Sequence, residues 1–230
     1  GVNHHIFATD VFLDGISVMD EVVERYANVK PEDVLAMKNF ISLPYSPAFI
    51  RGLHAIPCPY HNYYFFTEER LEEEQEQFAQ GKVRAEVVSH VEEELFELYK
   101  DEHLDVKPKQ LEMRGGAKYS DAACNLIASI YTDKRDIQYV DVQNNGCISN
   151  LPDESAVEVA CMITADGPKP LATGEMKPTI SGTIHNIKAF ERMVVEAAVT
   201  GNRDLAVTAL NMNPLCPSDK LANIVVDELI

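Results

Sequence analysis

The chain has 230 residues, is 46% apolar, and sets 20 basic against 37 acidic side chains for a formal charge of −17. That is enough apolar material for one buried core, and no apolar run reaches the roughly 18 residues that a membrane helix needs. The acidic balance excludes a nucleic-acid partner, which requires a basic face to release counterions, and it obliges any anionic ligand to find a local cationic pocket.

The opening residues, Gly1-Val2-Asn3-His4-His5, run straight into an apolar segment without a secretory pattern, and read as the interior of a longer protein. Alternation over residues 5–13 predicts a strand, closed by a tight turn at Asp14-Gly15. Residues 18–27 read as a short helix, Pro31 opens another over 31–40, and Ser46-Pro47 begins a third. After the aromatic-rich stretch 57–66, Thr67 is placed as the N-cap of a helix over 68–80. The clearest helix spans 84–99, with Val87, Val91, Leu95 and Leu98 on one stripe.

Gly115-Gly116 introduces a helix capped by Ser120. Strands over 137–142 and 157–163 follow, separated by Asn145-Gly146 and a loop through Pro152, and residues 166–182 read as extended loop with short strands. Helices over 184–200, 204–210 and 218–229 close the chain. Strands clustered between helices predict an α+β domain rather than regular β-α-β alternation.

Five cysteines without a Cys-x-x-Cys pair argue against a disulfide framework or a zinc ribbon, and fit a reducing cytoplasm. Arg84 lies three residues before Val87 and seven before Val91, so it projects from the stripe that the helix buries. A guanidinium there, in a first turn whose free N–H groups favour negative charge, suits a phosphate or carboxylate. On spacing alone, an internal salt bridge to one of the chain's acids is the more frequent explanation for such an arginine. His4 can ligate a metal through a neutral nitrogen, but one histidine by itself is not a site, and the neighbouring His5 fits a solvated strand end. Tyr60, Tyr63 and Tyr64 have the spacing of a core cluster, and a tyrosine becomes a base only beside a cation. The acidic stretches 68–76 and 92–94 read as solvated helix faces. Asp153-Glu154 caps a turn, and Gly115-Gly116 lacks the pattern of a dinucleotide loop.

Five blocks, in order, carry a resemblance. They are Gly1-Val2-Asn3-His4, the Pro-Tyr-x-x-Tyr-Tyr motif over 59–64, the helix start over 84–88, the segment 114–120, and the segment 144–152. Together they resemble glycoside hydrolase family 4, and most closely its 6-phospho-β-glucosidases. The resemblance implies that residues 1–230 form a C-terminal substrate and metal domain. Its fold would be like the C-terminal domain of lactate and malate dehydrogenases, with helices packed on a small, mostly antiparallel sheet. The NAD-binding Rossmann domain that family members place first is not in this chain.

The family's mechanism departs from the two-carboxylate scheme. NAD takes a hydride from C3 of the sugar, a divalent metal, expected to be Mn, polarises the resulting ketone, and a tyrosine removes the C2 proton. The aglycone is eliminated, water adds, and the hydride returns. Carried over by motif, Tyr60 is the catalytic base, His4 the metal ligand, and Asn3 and Arg84 the substrate contacts. The implied partner is a small phosphorylated disaccharide or glucoside, handled in the cytoplasm by a homo-oligomer (dimer or tetramer), with no membrane or nucleic acid involved. Other family 4 activities, a 6-phospho-α-glucosidase or an α-galactosidase, and a non-catalytic sugar-binding or oligomerisation module remain alternatives. The cysteine that shares the family's metal with the histidine has no counterpart here. Cys147 and Ala160 stand where Ala and Pro are expected.

Overall fold

The structure is a computed structural model that describes residues 1–2, 4–30, 43–114 and 118–230. The helix expected over 31–40 and the Gly115-Gly116 pair lie outside the described residues.

The first apolar segment does not form one strand. It divides into β1 (Phe7–Ala8) and β2 (Phe12–Leu13), and β2 pairs with β3 (Ile16–Ser17) in a small hairpin. Asp14 and Gly15 make its turn at φ values of 51° and 80°, the left-handed pair that matches strand twist. Asp10 breaks the segment, because its carboxylate accepts from Val11 N–H at 2.8 Å and from the Ser17 hydroxyl.

Two helices follow, α1 (Met19–Ala27) and α2 (Pro47–Leu53). Ser46 caps α2 by accepting from Phe49 N–H at 3.2 Å, as the Ser-Pro signal predicts. Strand β4 (Ile56–Pro57) then pairs antiparallel with β1 in the register Phe7↔Pro57 and Ala8↔Ile56. A 3-10 turn (Pro59–His61) leads into α3 (Asn62–Phe65) and α4 (Thr67–Ala79). Thr67 is not the cap expected of it. The aromatic run is already helical, so the Thr67 hydroxyl donates back to the Tyr63 carbonyl at 3.2 Å, and Phe66 occupies the cap position.

Helix α5 (Arg84–Leu98) buries Val91 and Leu95, while Val87 and Leu98 are exposed. Partly buried Arg84 and Val88 complete the inward face, at i, i+4, i+7 and i+11. The expected stripe is therefore rotated by about one residue, and Arg84 stays on it. Short α6 (Gln110–Arg114) packs against α5, tied by an Arg114–Glu92 ion pair at 2.6 Å. Helix α7 (Tyr119–Thr132) is preceded by Lys118 at the cap position, with Ser120 inside the helix.

The main sheet is antiparallel, ordered β5 (Ile137–Gln143), β6 (Ala156–Thr164), β7 (Gly167–Pro170). Val157, Val159, Cys161 and Ile163 point from β6 into the core, the period-2 pattern of a sheet covered on one face. Helix α8 (Pro178–Thr200) starts earlier than the expected residue 184, with Pro178 at its first position, and lays Ile180, Ile184 and Ile187 under that face. Gly201 ends it in the left-handed conformation at φ 68°. Helix α9 (Arg203–Met212) packs beside it and α10 (Asp219–Leu229) packs against α9, the two started by Asn202 and Ser218 caps.

The architecture is α+β, as the sequence predicts. No helix among the described residues is long and apolar enough to cross a membrane. The principal core joins Val2, Leu53 and Ala55 to residues between Cys147 and Ile187, and a second cluster unites Met19, Val23, Ala27, Tyr45 and Ile50.

Candidate active site

The β1–β4 pairing brings the first residues of the chain against the Pro-Tyr segment. Val2 and His5 exchange backbone hydrogen bonds, His5 N–H to Val2 carbonyl at 2.8 Å and Val2 N–H to His5 carbonyl at 3.3 Å, closing a tight turn. Val2 and His5 are buried on one side of this turn, and the His4 side chain is pushed outward. His4 has φ 59°, a conformation that costs a residue with a Cβ about 1–2 kcal/mol. Cys58 N–H donates to the Ile6 carbonyl at 3.1 Å and so extends the ladder by one residue. Pro59 then bends the chain, and the Tyr60 ring comes to 4.3 Å from the His4 ring, tilted by 59°.

The structure thus brings His4 and Tyr60 together. Arg84 has other partners. Its guanidinium donates to the Met113 carbonyl at 3.2 Å and to the Arg114 carbonyl, at the C-terminal end of α6. A cation there meets free carbonyls and the negative end of the helix. Among the described residues Arg84 pairs with no carboxylate, and its bonds do not run to His4 or Tyr60. Asn3 lies outside the described residues.

Burial raises the phenols of Tyr63 and Tyr64 above their ordinary value, so both furnish less phenolate at neutral pH than a free tyrosine. Burial raises the Cys58 thiol as well. On β6, the carboxyl of Glu158 is pushed up by burial and by Asp141, its partner across the ladder, while His4 and the Gly1 ammonium pull it down.

Sequence reasoning missed the support beneath this pair. His61 is fully buried and stacks on Phe65 at 5.9 Å and beside His5 at 4.4 Å. His61 Nδ1 lies 3.2 Å from the Cys58 carbonyl and 3.3 Å from its Sγ, and the Cys58 thiol donates to the His4 carbonyl at 3.2 Å. A Cys-x-x-His step through a Pro-led 3-10 turn was the available signal, since residues three apart eclipse there.

Desolvation, followed by the proximity of His5, drives His61 down to about 3. A histidine depressed in the folded state contributes stability that is complete above its unfolded pKa of about 6.5 and is lost as pH falls toward the folded value. His61→Leu is therefore expected to flatten the pH dependence of urea unfolding between about pH 6 and 4, by up to about 1.4 kcal/mol per pH unit. A variant as steep as wild type would show that His61 titrates normally in the fold.

The fit to a metal is partial. Exposed His4 offers one imidazole, and among the described residues no group of three or more His, Cys, Asp or Glu side chains is arranged to hold an ion. The His4 imidazole fits one ligand position of a divalent-metal site. The chain also has no Gly-x-Gly-x-x-Gly stretch for a dinucleotide.

Comparisons with known proteins follow the same lines. Residues 1–216 match the family 4 glycosyl hydrolase C-terminal domain. The full chain is 52% identical to a probable 6-phospho-β-glucosidase of Bacillus subtilis and 42% identical to a 6-phospho-β-glucosidase of Escherichia coli, covering 52% and 51% of their lengths. It superposes with a TM-score of 0.82, at 30% identity, on the 6-phospho-β-glucosidase of Thermotoga maritima solved with manganese, NAD+ and glucose-6-phosphate, covering 99% of this chain and 51% of that one. The chain spans about half the length of the relatives it matches.

Proposed function

The chain belongs to glycosyl hydrolase family 4, and from that premise we propose that it forms the sugar-side half of a 6-phospho-β-glucosidase dependent on NAD and a divalent metal. The observation that carries the reading is the approach of His4 and Tyr60 to 4.3 Å, from segments more than fifty residues apart.

When bound, NAD and the metal supply oxidation at C3 of the sugar and Lewis-acid polarisation there, which acidifies the neighbouring C2–H. His4 offers its outward imidazole as one metal ligand, with the remaining ligands and the dinucleotide site furnished by the other half of the protein. Tyr60, beside the cation that His4 holds, takes the C2 proton, because positive charge nearby stabilises a phenolate. Arg84 has five N–H donors and engages two carbonyls, so its remaining donors can meet the sugar phosphate within an otherwise acidic protein. Asn3, next to His4 in sequence, contacts the sugar.

Phosphorylated and unphosphorylated α- and β-glucosides should be offered, with NAD and Mn2+, to a full-length protein that contains this chain. Hydrolysis of the 6-phospho-β-glucoside alone is expected. Turnover of only the unphosphorylated substrates, or only of the α-anomer, would overturn the assignment.

A further inference from the structure

We infer that Cys58 is a positioning residue for the His4–Tyr60 pair, its side chain joining the turn that presents the imidazole to the turn that presents the phenol. The inference rests on the roles given to His4 and Tyr60 above. His4 sits in a backbone conformation that residues with a Cβ avoid, so something must hold it there. Together with the exchange between Val2 and His5, the Cys58 thiol contributes to that hold, reaching the His4 carbonyl at 3.2 Å across 54 residues of sequence.

The other side of Cys58 is equally fixed. Its carbonyl accepts from His61 N–H at 3.0 Å and lies 3.2 Å from His61 Nδ1. With the Nδ1–H tautomer assigned by this network, the imidazole donates toward Cys58 and the thiol keeps its own proton for His4. His61, stacked on Phe65 in the interior, is an immobile base for the chain of bonds His61 to Cys58 to His4. Tyr60 lies within the same turn, between Cys58 and His61, so one thiol fixes the distance between the two functional rings. A serine hydroxyl can make the same donation, whereas alanine and valine cannot.

The test uses a full-length protein containing this chain, with Cys58→Ala, Cys58→Ser and Cys58→Val variants and His4→Ala and Tyr60→Phe as references. Mn2+ binding is measured by calorimetric titration with MnCl2, alongside kcat, KM and the thermal midpoint. Cys58→Ala is expected to weaken Mn2+ binding about tenfold, the low end for groups that orient a metal ligand, and to lower kcat more than it raises KM. Cys58→Ser should restore both to within about twofold of wild type, whatever its thermal midpoint. If the alanine variant does not fold, Cys58→Val, which fills the space without a donor, supplies the same contrast. Wild-type Mn2+ affinity in Cys58→Ala, or equal impairment by serine and alanine, would overturn the inference while His4→Ala still abolishes binding. A His4→Ala protein that binds Mn2+ normally would instead remove the reading on which the inference stands, and the inference with it.

Discussion

Tyr60→Phe, made in a full-length protein that carries this chain, is expected to slow exchange of the substrate C2 proton with solvent deuterium by about 10²–10⁴-fold. The substitution removes one oxygen and leaves the ring that packs at 4.3 Å from His4. NAD binding and the thermal midpoint should therefore stay near wild type. The neighbouring phenols cannot compensate, since burial raises Tyr63 and Tyr64 and a weaker acid gives less phenolate at neutral pH. Exchange at the wild-type rate would take Tyr60 out of the base role while leaving the fold and family assignment untouched.

Asn144→Ala is expected to destabilise the chain by about 3–5 kcal/mol, a large share of the stability of an ordinary domain. Asn144 is fully buried. Its amide nitrogen donates to the carbonyls of Ile148, Leu151 and Pro152 at 3.0, 2.9 and 3.2 Å, and its oxygen accepts from Ile148 N–H at 2.8 Å and the Cys147 thiol at 3.2 Å. One side chain thus ties together a loop whose residues Cys147, Ile148 and Leu151 belong to the principal core. Removing it takes the partner from the Ile148 N–H and the Leu151 carbonyl, each costing roughly 1–3 kcal/mol when unpaired, less whatever water can enter, while the Ile148 and Pro152 carbonyls keep bonds from Leu151 N–H and Ser155 N–H. Asn144→Asp should be no better, because a carboxylate cannot donate to three carbonyls. Urea unfolding measures both, and a loss under about 1 kcal/mol would show that the loop finds other partners.

Strands β5 and β6 were readable because their burial alternates residue by residue, as a one-face-covered sheet demands. The helix start at Ser46-Pro47 was readable for a similarly local reason, since Ser46 bonds an N–H three residues on, whereas Ser218, expected inside its helix, is the cap that starts it. Thr67 misled because its cap chemistry was overridden by an aromatic run that packs as helix on Tyr45 and Phe49. The start of α8 was hidden by Gly182, a poor helix former that tertiary packing of Ile180 and Ile184 outweighs.

In the candidate site, motif resemblance named His4 and Tyr60, and nothing local could place them together. Their meeting depends on the register Phe7↔Pro57, a pairing across fifty residues that no periodicity records. Arg84 was correctly assigned to the inward face of its helix, but its carbonyl partners on α6 are likewise a long-range fact. The 144–152 segment entered as one of the five blocks of the family resemblance, and Asn144 gives that block a role in backbone satisfaction.

Val2, beside the His4 turn, shares the principal core with Leu53 and Ala55 and with residues 145 or more positions later, while Gly1 accepts a bond from Glu158 N–H at 2.9 Å. During synthesis the turn that carries His4 can therefore meet its near partners early, but it is not fully seated until β6 has left the ribosome. Loop closure over such a span comes late and slowly, so a segment near the start of the chain is among the last to be fully packed.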